Sequence, residues 1–394
     1  MKFVLAPDSF KESMSAPVAA AAMERGVRSV FVDAECLAVP MADGGEGTVD
    51  ALVEAIGGEY VTVNVRDGLG RSVQARYGYV PAERLAILEM AAAAGIDMIP
   101  EAERNPRVTS TFGVGQLIVD ALDRGARRFV VGLGSSVTND GGAGMLQALG
   151  ARLLDESGVE LPPGGAALAR LARIDLVDFD ARLATTDFQI ASDVTNPLLG
   201  PHGASAVFGP QKGADDATVA ELDAALTHWA LLIASTTGRD VATIPGSGSA
   251  GGLGAAFLAF LPAQMRRGVD VVMSATHLAE KIVGADYVFT GEGSVDAQTA
   301  SGKTLLGVAE VAARQGVPVI AFAGRVGEGA EALYTLGVRA IVPIVQGVSD
   351  LPRALAEGPT NLERAVATAC RLLALSADGR GDVARDIAPP EERR

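Results

Sequence analysis

The strongest constraint on the fold is a rhythm. Strand and helix signals alternate at both ends of the chain and stop alternating in between. Residues 2–6 form a short apolar run closed by Pro7, which predicts a buried strand. Ser15 can cap a helix running to Gly26, with Pro17 tolerated in its first turn. A second strand is expected over 35–39 and a second helix over 49–56, closed by Gly57-Gly58. This βαβα opening predicts parallel strands. Residues 60–65 and 73–79 instead alternate with period two around Asp67-Gly68-Leu69-Gly70, an antiparallel hairpin. From Asp286 the rhythm returns, with strands over 287–290, 317–322 and 340–342 and helices over 304–314 and 328–336. The expectation is an α/β protein of two domains. One parallel-sheet domain is made of residues 1–66 and 285–376, an inserted α/β domain of 67–284, and 377–394 form a polar, flexible tail.

Composition fits this division. A chain of 394 residues exceeds what one core usually organises. Its 48% apolar and 5% aromatic content suits helices packed on buried sheets. The formal charge of −15, with no Lys/Arg stripe, argues against nucleic acid and against an anionic membrane surface. Cys36 and Cys370 are too few for a disulfide framework or a thiolate metal site. No signal-peptide core opens the chain, and no apolar run reaches the ~18 residues of a membrane span. The cytoplasm is the expected compartment, and a homo-oligomer is left open.

The 47 glycines sit in discrete clusters placed after strand-like runs, where open parallel sheets collect ligands. Pro7-Asp8-Ser9-Phe10-Lys11 follows the first strand and Pro40-Met41-Ala42-Asp43-Gly44-Gly45-Glu46-Gly47-Thr48 the second. Gly134-Ser135-Ser136-Val137-Thr138-Asn139-Asp140-Gly141-Gly142 follows 129–131, and Gly291-Glu292-Gly293-Ser294-Val295-Asp296 follows 287–290. Glycine lets backbone N–H groups approach an anion, and hydroxyls add donors. The carboxylates among them would repel bare phosphate but suit a phosphate-bound Mg²⁺. Each loop alone is better explained as a turn with a helix-capping Asp. Four together point to one site for a metal-bound polyphosphate and a small anion.

Two segments of the insert add Asp193, Asn196 and Lys212 as candidates. Ser301-Gly302-Lys303-Thr304 ends like a P-loop, but Ala297 occupies the place of its first glycine, so only Lys303 is kept as a phosphate ligand. Gly246-Ser247-Gly248-Ser249-Ala250-Gly251, with Asp270 about 20 residues on, matches a dinucleotide fingerprint. Pro245 spoils its strand–turn context, so a structural or phosphate role is preferred to NAD. His202, His228 and His277 are isolated, and no G-x-S-x-G elbow exists, which argues against a hydrolase.

At these residues the sequence resembles the bacterial glycerate kinase family, in the branch of the glycerate 2-kinases. The shared segments are Ala6-Pro7-Asp8-Ser9-Phe10-Lys11-Glu12-Ser13, Ala42-Asp43-Gly44-Gly45-Glu46-Gly47-Thr48, Thr138-Asn139-Asp140-Gly141-Gly142-Ala143-Gly144, Asp193-Val194-Thr195-Asn196-Pro197, Val207-Phe208-Gly209-Pro210-Gln211-Lys212-Gly213-Ala214 and Thr290-Gly291-Glu292-Gly293. Gly134-Ser135-Ser136-Val137, Ser192, Ser247 and Ser249 depart mildly from the family pattern. The resemblance implies a flavodoxin-like domain from both chain ends and an inserted domain comparable to restriction endonucleases. It also implies ATP-dependent phosphorylation of D-glycerate, with the 2-hydroxyl favoured over the 3-hydroxyl. Within that reading Asp193 is the expected base, with Asp8 second, and Lys11 supports catalysis. Ser135, Ser136, Asn139, Asp140, Lys212, Gly291, Gly293 and Lys303 hold the nucleotide. Glu292, Asp296 and Asp43 hold Mg²⁺, and Arg325 is a further anion ligand. The rivals are an NAD-dependent 2-hydroxy-acid dehydrogenase and a non-catalytic sensor of sugar acids.

Overall fold

The computed structural model describes residues 1–297, 299 and 304–378. Its strands are β1 (Lys2–Leu5), β2 (Glu35–Ala38), β3 (Glu59–Arg66), β4 (Ser72–Val80), β5 (Leu85–Glu89), β6 (Arg128–Gly132), β7 (Arg152–Leu154), β8 (Arg173–Asp175), β9 (Asp187–Ala191), β10 (Ala263–Arg266), β11 (Tyr287–Val295), β12 (Val319–Val326) and β13 (Val338–Pro343). Five of them form a wholly parallel sheet in the order β2-β1-β11-β12-β13. Counted within that sheet the order is 2-1-3-4-5, the flavodoxin-like winding. The run Phe3-Val4-Leu5 is fully buried because β1 lies inside the sheet, between β2 and β11, with helices on both faces.

The second sheet runs β10-β9-β6-β5-β4-β3. The hairpin β3–β4 and the pair β4–β5 are antiparallel, and the remaining pairs are parallel. Buried Asp67 closes the hairpin, its Oδ1 accepting from the amides of Leu69 and Arg71 at 2.8 Å. Because β3 already belongs to this sheet, the chain changes sheets before Glu59 rather than after Arg66. β7 and β8 form a small antiparallel pair.

The two sheets are stacked, not strung side by side. Phe3, Leu5, Phe289 and Phe322 face outward against helices Ala16–Arg28 and Gly358–Asp378. On the other face Val4 and Val288 share one cluster with helices Thr48–Ile56, Gly268–Ala275 and Thr304–Arg314, and with Leu85, Ile87 and Val130 of the second sheet. The far face of the second sheet, including Phe129 and Phe188, packs on helices Phe112–Asp123, Ala143–Ala148, Asp216–Thr237 and Ser249–Phe260. The molecule is therefore five layers deep, alternating helix and sheet.

Several local expectations shift. Helix Ala16–Arg28 starts after Ser15, but the Ser15 hydroxyl makes no capping bond. The expected helix over 328–336 contracts to Ala332–Thr335, since Gly329 takes a left-handed conformation (φ +82°). The strand over 287–290 continues to Val295, so Gly291-Glu292-Gly293 lies in the sheet and not in a loop after it. Helix Asp216–Thr237 is long and apolar enough to cross a membrane by length and composition. Its Leu222, Leu226, Trp229 and Ile233 nevertheless fill the core over the second sheet, and Trp229 Nε1 donates to the Gly141 carbonyl at 3.0 Å. Lys303 and residues 379–394, most of the expected tail, lie outside the described residues.

Candidate functional site

The site starts from a seam of glycines. After β2 the chain leaves the first sheet and lays Asp43-Gly44-Gly45 along the carboxyl edge of the second. Gly44 is left-handed (φ +85°), and a Cβ there would come within 2.8 Å of Ala191 Cβ and 3.0 Å of Gly268 Cα. A Cβ on Gly132 would lie 2.5 Å from the Gly44 carbonyl oxygen, and one on Gly268 would collide with the Asp43 carbonyl. Only hydrogens fit along this line. The loop is thereby held against the ends of β6 and β9 and the start of helix Gly268–Ala275. Glu89, at the end of β5, accepts from the Val49 amide at 2.8 Å, tying the second sheet to the helix that follows the loop.

Three carboxylates meet here. Asp8 follows β1 at the point where the sheet order reverses, the place where such sheets bind ligands. Burial pushes its pKa up to about 6, opposed by a 2.6 Å hydrogen bond from Thr304 Oγ1 and reinforced by the negative charge of Asp43. Asp193 follows β9. Burial raises its pKa as well, against the 3.0 Å bond its Oδ1 accepts from the Gly268 amide, and Asp43 again adds repulsion. Asp43 is thus the common neighbour of Asp8 and Asp193. The surroundings of the two differ. Both Asp8 oxygens are engaged, by the Ser9 amide and by Thr304, whereas Asp193 Oδ2 accepts no hydrogen bond among the described residues.

Two clefts flank the acidic loop. The larger, about 960 Å³, lies between residues 9–15 of the first domain and β4 and β5 of the second. Ser9, exposed Lys11, Glu46, Arg76 and Glu89 line it. Residues 10–11 of its wall rest on the glycines of β11: a Cβ on Gly291 would stand 3.1 Å from Phe10 Cζ, and one on Gly293 3.3 Å from the Lys11 amide nitrogen. Gly291 and Gly293 act here by letting residues 10–11 lie flat on the sheet. Strand alternation puts Glu292 on the opposite face, that of Val288 and Thr290, which turns toward the second sheet. Asp296 lies at the exit of β11 beside Gly327 and Arg325. Among the described residues no group of three His, Cys, Asp or Glu side chains is disposed to hold a metal, so neither Glu292, Asp296 and Asp43 nor Asp8, Asp43 and Asp193 form a ready three-carboxylate centre.

The smaller cleft, about 320 Å³, is lined by Gly134, Ser135, Ser136, Val194, Phe208 and Lys212 among others. It adjoins the acidic loop through Gly134, where a Cβ would sit 3.1 Å from Gly45 Cα. Lys212 is buried, and desolvation lowers its pKa to about 7. Asn139 and Asp140, expected to touch the nucleotide, have no exposed surface. Asp140 is consumed within the protein: it accepts from the Thr111 amide and hydroxyl and from the amides of Gly142 and Gly144. It clamps the starts of two helices and lines neither of these clefts. The residues expected to grip one nucleotide therefore fall in three places.

The dinucleotide-like stretch is also internal. Hydrogens of Gly246, Gly248 and Gly251 face Met265, the Pro197 carbonyl and the Thr138 carbonyl, where a Cβ would collide. Ala250, Gly251 and Gly252 are successively left-handed, and the Gly251 carbonyl accepts from the Gly141 amide at 2.9 Å. These glycines pack two loops together, which removes the feature that favoured NAD. Sequence reasoning missed Thr304 and Gly268 as partners of Asp8 and Asp193, and Glu89 as the tie to the Val49 amide. A carboxylate closing an apolar strand, as in Leu85–Glu89, was the available signal for Glu89.

Fold and clefts together define an α/β protein with two clefts beside one acidic seam between stacked sheets. A model of the glycerate kinase family matches residues 3–374. The glycerate kinase of Halalkalibacterium halodurans is 49% identical over 92% of this chain and 95% of its own. The glycerate 2-kinase of Escherichia coli K12 is 43% identical over 97% and 100%. The crystal structure of a provisionally named glycerate kinase 2 from Salmonella typhimurium LT2 superposes with a TM-score of 0.89 at 46% identity, covering 96% of this chain and 99% of that one. The chain belongs to the glycerate kinase family and is a kinase.

Proposed function

We propose that the protein transfers the γ-phosphoryl group of ATP to the 2-hydroxyl of D-glycerate, giving 2-phosphoglycerate and ADP. The observation that carries this reading is the convergence of Asp8 and Asp193 on Asp43 between two clefts, one large and one small. The larger is of a size for a nucleoside triphosphate, with Lys11 and the hydroxyls of Ser9 and Ser13 on its wall. The similarity to the glycerate 2-kinase of Escherichia coli supports the 2-position.

Phosphoryl transfer needs alignment and charge neutralisation more than covalent chemistry. The substrate's 2-hydroxyl oxygen attacks the γ-phosphorus, the bond to the β–γ bridging oxygen breaks, and ADP leaves with that electron pair. The hydroxyl proton passes to Asp193, whose Oδ2 is open and whose raised pKa suits a proton acceptor. Asp8, oriented by Thr304, and Asp43 form the negative pair that a divalent cation would relieve, since each carboxylate raises the energy of its neighbour's charge. Mg²⁺ bound there with the nucleotide would neutralise charge growing on the phosphates. On this geometry Asp43 and Asp8 replace Glu292 and Asp296 as the preferred holders. The cytoplasm is the proposed location.

An ADP-release assay with D-glycerate, glycerol and tartronate, followed by NMR of the product, tests the reading. Release with D-glycerate and a phosphorus coupling to the C2 proton is expected. Phosphate on C3 would overturn the position, and no ADP with any of the three would overturn the substrate.

A further inference from the structure

The smaller cleft borders a charge without a matching partner. Lys212 closes the short turn Pro210–Lys212 and is 1% exposed. A buried ammonium is costly unless paired and hydrogen-bonded. Its Nζ donates to Ser136 Oγ at 2.8 Å and to the Thr138 carbonyl at 2.6 Å, both neutral acceptors. An ammonium carries three hydrogens, so one remains. Among the described residues no carboxylate lies within ion-pair distance of it. Asp140 influences it from farther away, but that carboxylate already accepts four hydrogen bonds from its own loops. Ser136 receives the Lys212 proton on its oxygen, which leaves the hydroxyl hydrogen to donate elsewhere. Both spare donors belong to residues lining the cleft.

We propose that this cleft is the subsite for the carboxylate of the acid being phosphorylated, held by the third hydrogen of the Lys212 ammonium and the hydroxyl of Ser136. The assignment rests on the glycerate reading above. One positive charge balances one carboxylate and would leave a triphosphate largely uncompensated. Among the described residues lining the cleft Lys212 is the one cation; the other walls are apolar Leu133, Val194 and Phe208 and neutral Ser135 and Gln211, which bring no second positive charge for a polyphosphate. The position agrees as well, because Val194 follows Asp193 directly, and in a 2-hydroxy acid the reacting oxygen is one carbon from the carboxylate. A carboxylate bound here would also keep Lys212 protonated, since a facing negative charge favours the ammonium.

Steady-state kinetics of Lys212→Met separate the alternatives. Methionine keeps most of the length of the side chain without its charge. The KM for D-glycerate is expected to rise at least ~30-fold while that for ATP stays within about twofold. A raised KM for ATP with glycerate unaffected would reassign the cleft to a nucleotide phosphate. A folded variant with neither constant changed would make Lys212 an internal lysine and end the proposal. If the wild type releases no ADP with D-glycerate, the proposed function fails separately. The subsite is then judged by thermal shift with D-glycerate, L-lactate and glycerol. A carboxylate that raises the melting temperature of wild type but not of Lys212→Met keeps it, and equal shifts reject it. Should Lys212→Met not fold, Ser136→Ala, which leaves the ammonium in place, is expected to raise the glycerate KM about fivefold; an unchanged KM rejects the subsite.

Discussion

Asp8 and Asp193 are both carboxylates raised by burial, yet their hydrogen bonds give them different work. Asp193 keeps one oxygen open, so Asp193→Asn should lower kcat by about 10²–10⁴-fold with an unchanged melting temperature, as a lost proton acceptor does. Turnover near that of wild type would remove Asp193 from the chemistry. Asp8 is held by Thr304, and that bond favours the ionised form. If ionised Asp8 is needed, kcat/KM falls as pH drops through about 6, the value for the folded protein. Thr304→Val removes the bond that lowers the pKa, so this acid limb should move to higher pH; a limb that stays put or moves down contradicts the pairing. Asp8 and Asp43 were legible as candidates only through the recurrence of acidic glycine loops after strands, since each loop alone reads as a capped turn. Thr304 was not. It lies 296 positions from Asp8, and nothing local to a threonine at a helix start names a partner that distant.

Elements fared differently according to how local their causes are. The hairpin β3–β4 was readable from period-two alternation and Asp67-Gly68, and it appears with full register from Glu59 to Arg66. The extension of β11 through Val295 was not readable, because glycines at 291 and 293 look like a loop. They are tolerated in a strand since residues 10–11 cover them and β12 pairs with them as far as Val326. The loop Asp43-Gly44-Gly45 has its conformation dictated from outside by Gly132, Ala191 and Gly268. Gly268→Ala puts a methyl into the Asp43 carbonyl. Turnover is expected to drop at least ~10-fold, because a misplacement of about 1 Å can cost ~10²-fold, while circular dichroism still reports both sheets. A fully active Gly268→Ala protein would show that the loop tolerates displacement.

At the scale of the molecule the second sheet is inserted in sequence but is not independent in packing. Its face bearing Leu85, Ile87 and Val130 is covered by helices Thr48–Ile56 and Gly268–Ala275, which also cover the first sheet. A fragment of residues 59–266 would expose that face, and an apolar patch of this kind drives association. Expressed alone it should aggregate or bind a hydrophobic dye, and the whole chain should melt in one calorimetric transition. A soluble monomeric fragment or two separated transitions would refute the shared core. Two domains were inferable from length and rhythm; their stacking was not, since helices of both read alike as amphipathic.

The interior position of β1, between β2 and β11, also sets an order in time. Lys2 and Asp286, which bond at the edge of the β1–β11 pair, are 284 residues apart. At the ~5–20 residues per second of synthesis, β1 waits roughly 15–60 s for its inner neighbour to be made. During that interval β1 is flanked by β2 alone, and Asp8 has no Thr304 to hold it. A nascent chain can complete the second sheet first, but any chain released before the helix Thr304–Arg314 emerges is born without a working site. Ribosome pausing upstream of that helix would therefore lower the yield of active protein more than the yield of folded inserted sheet.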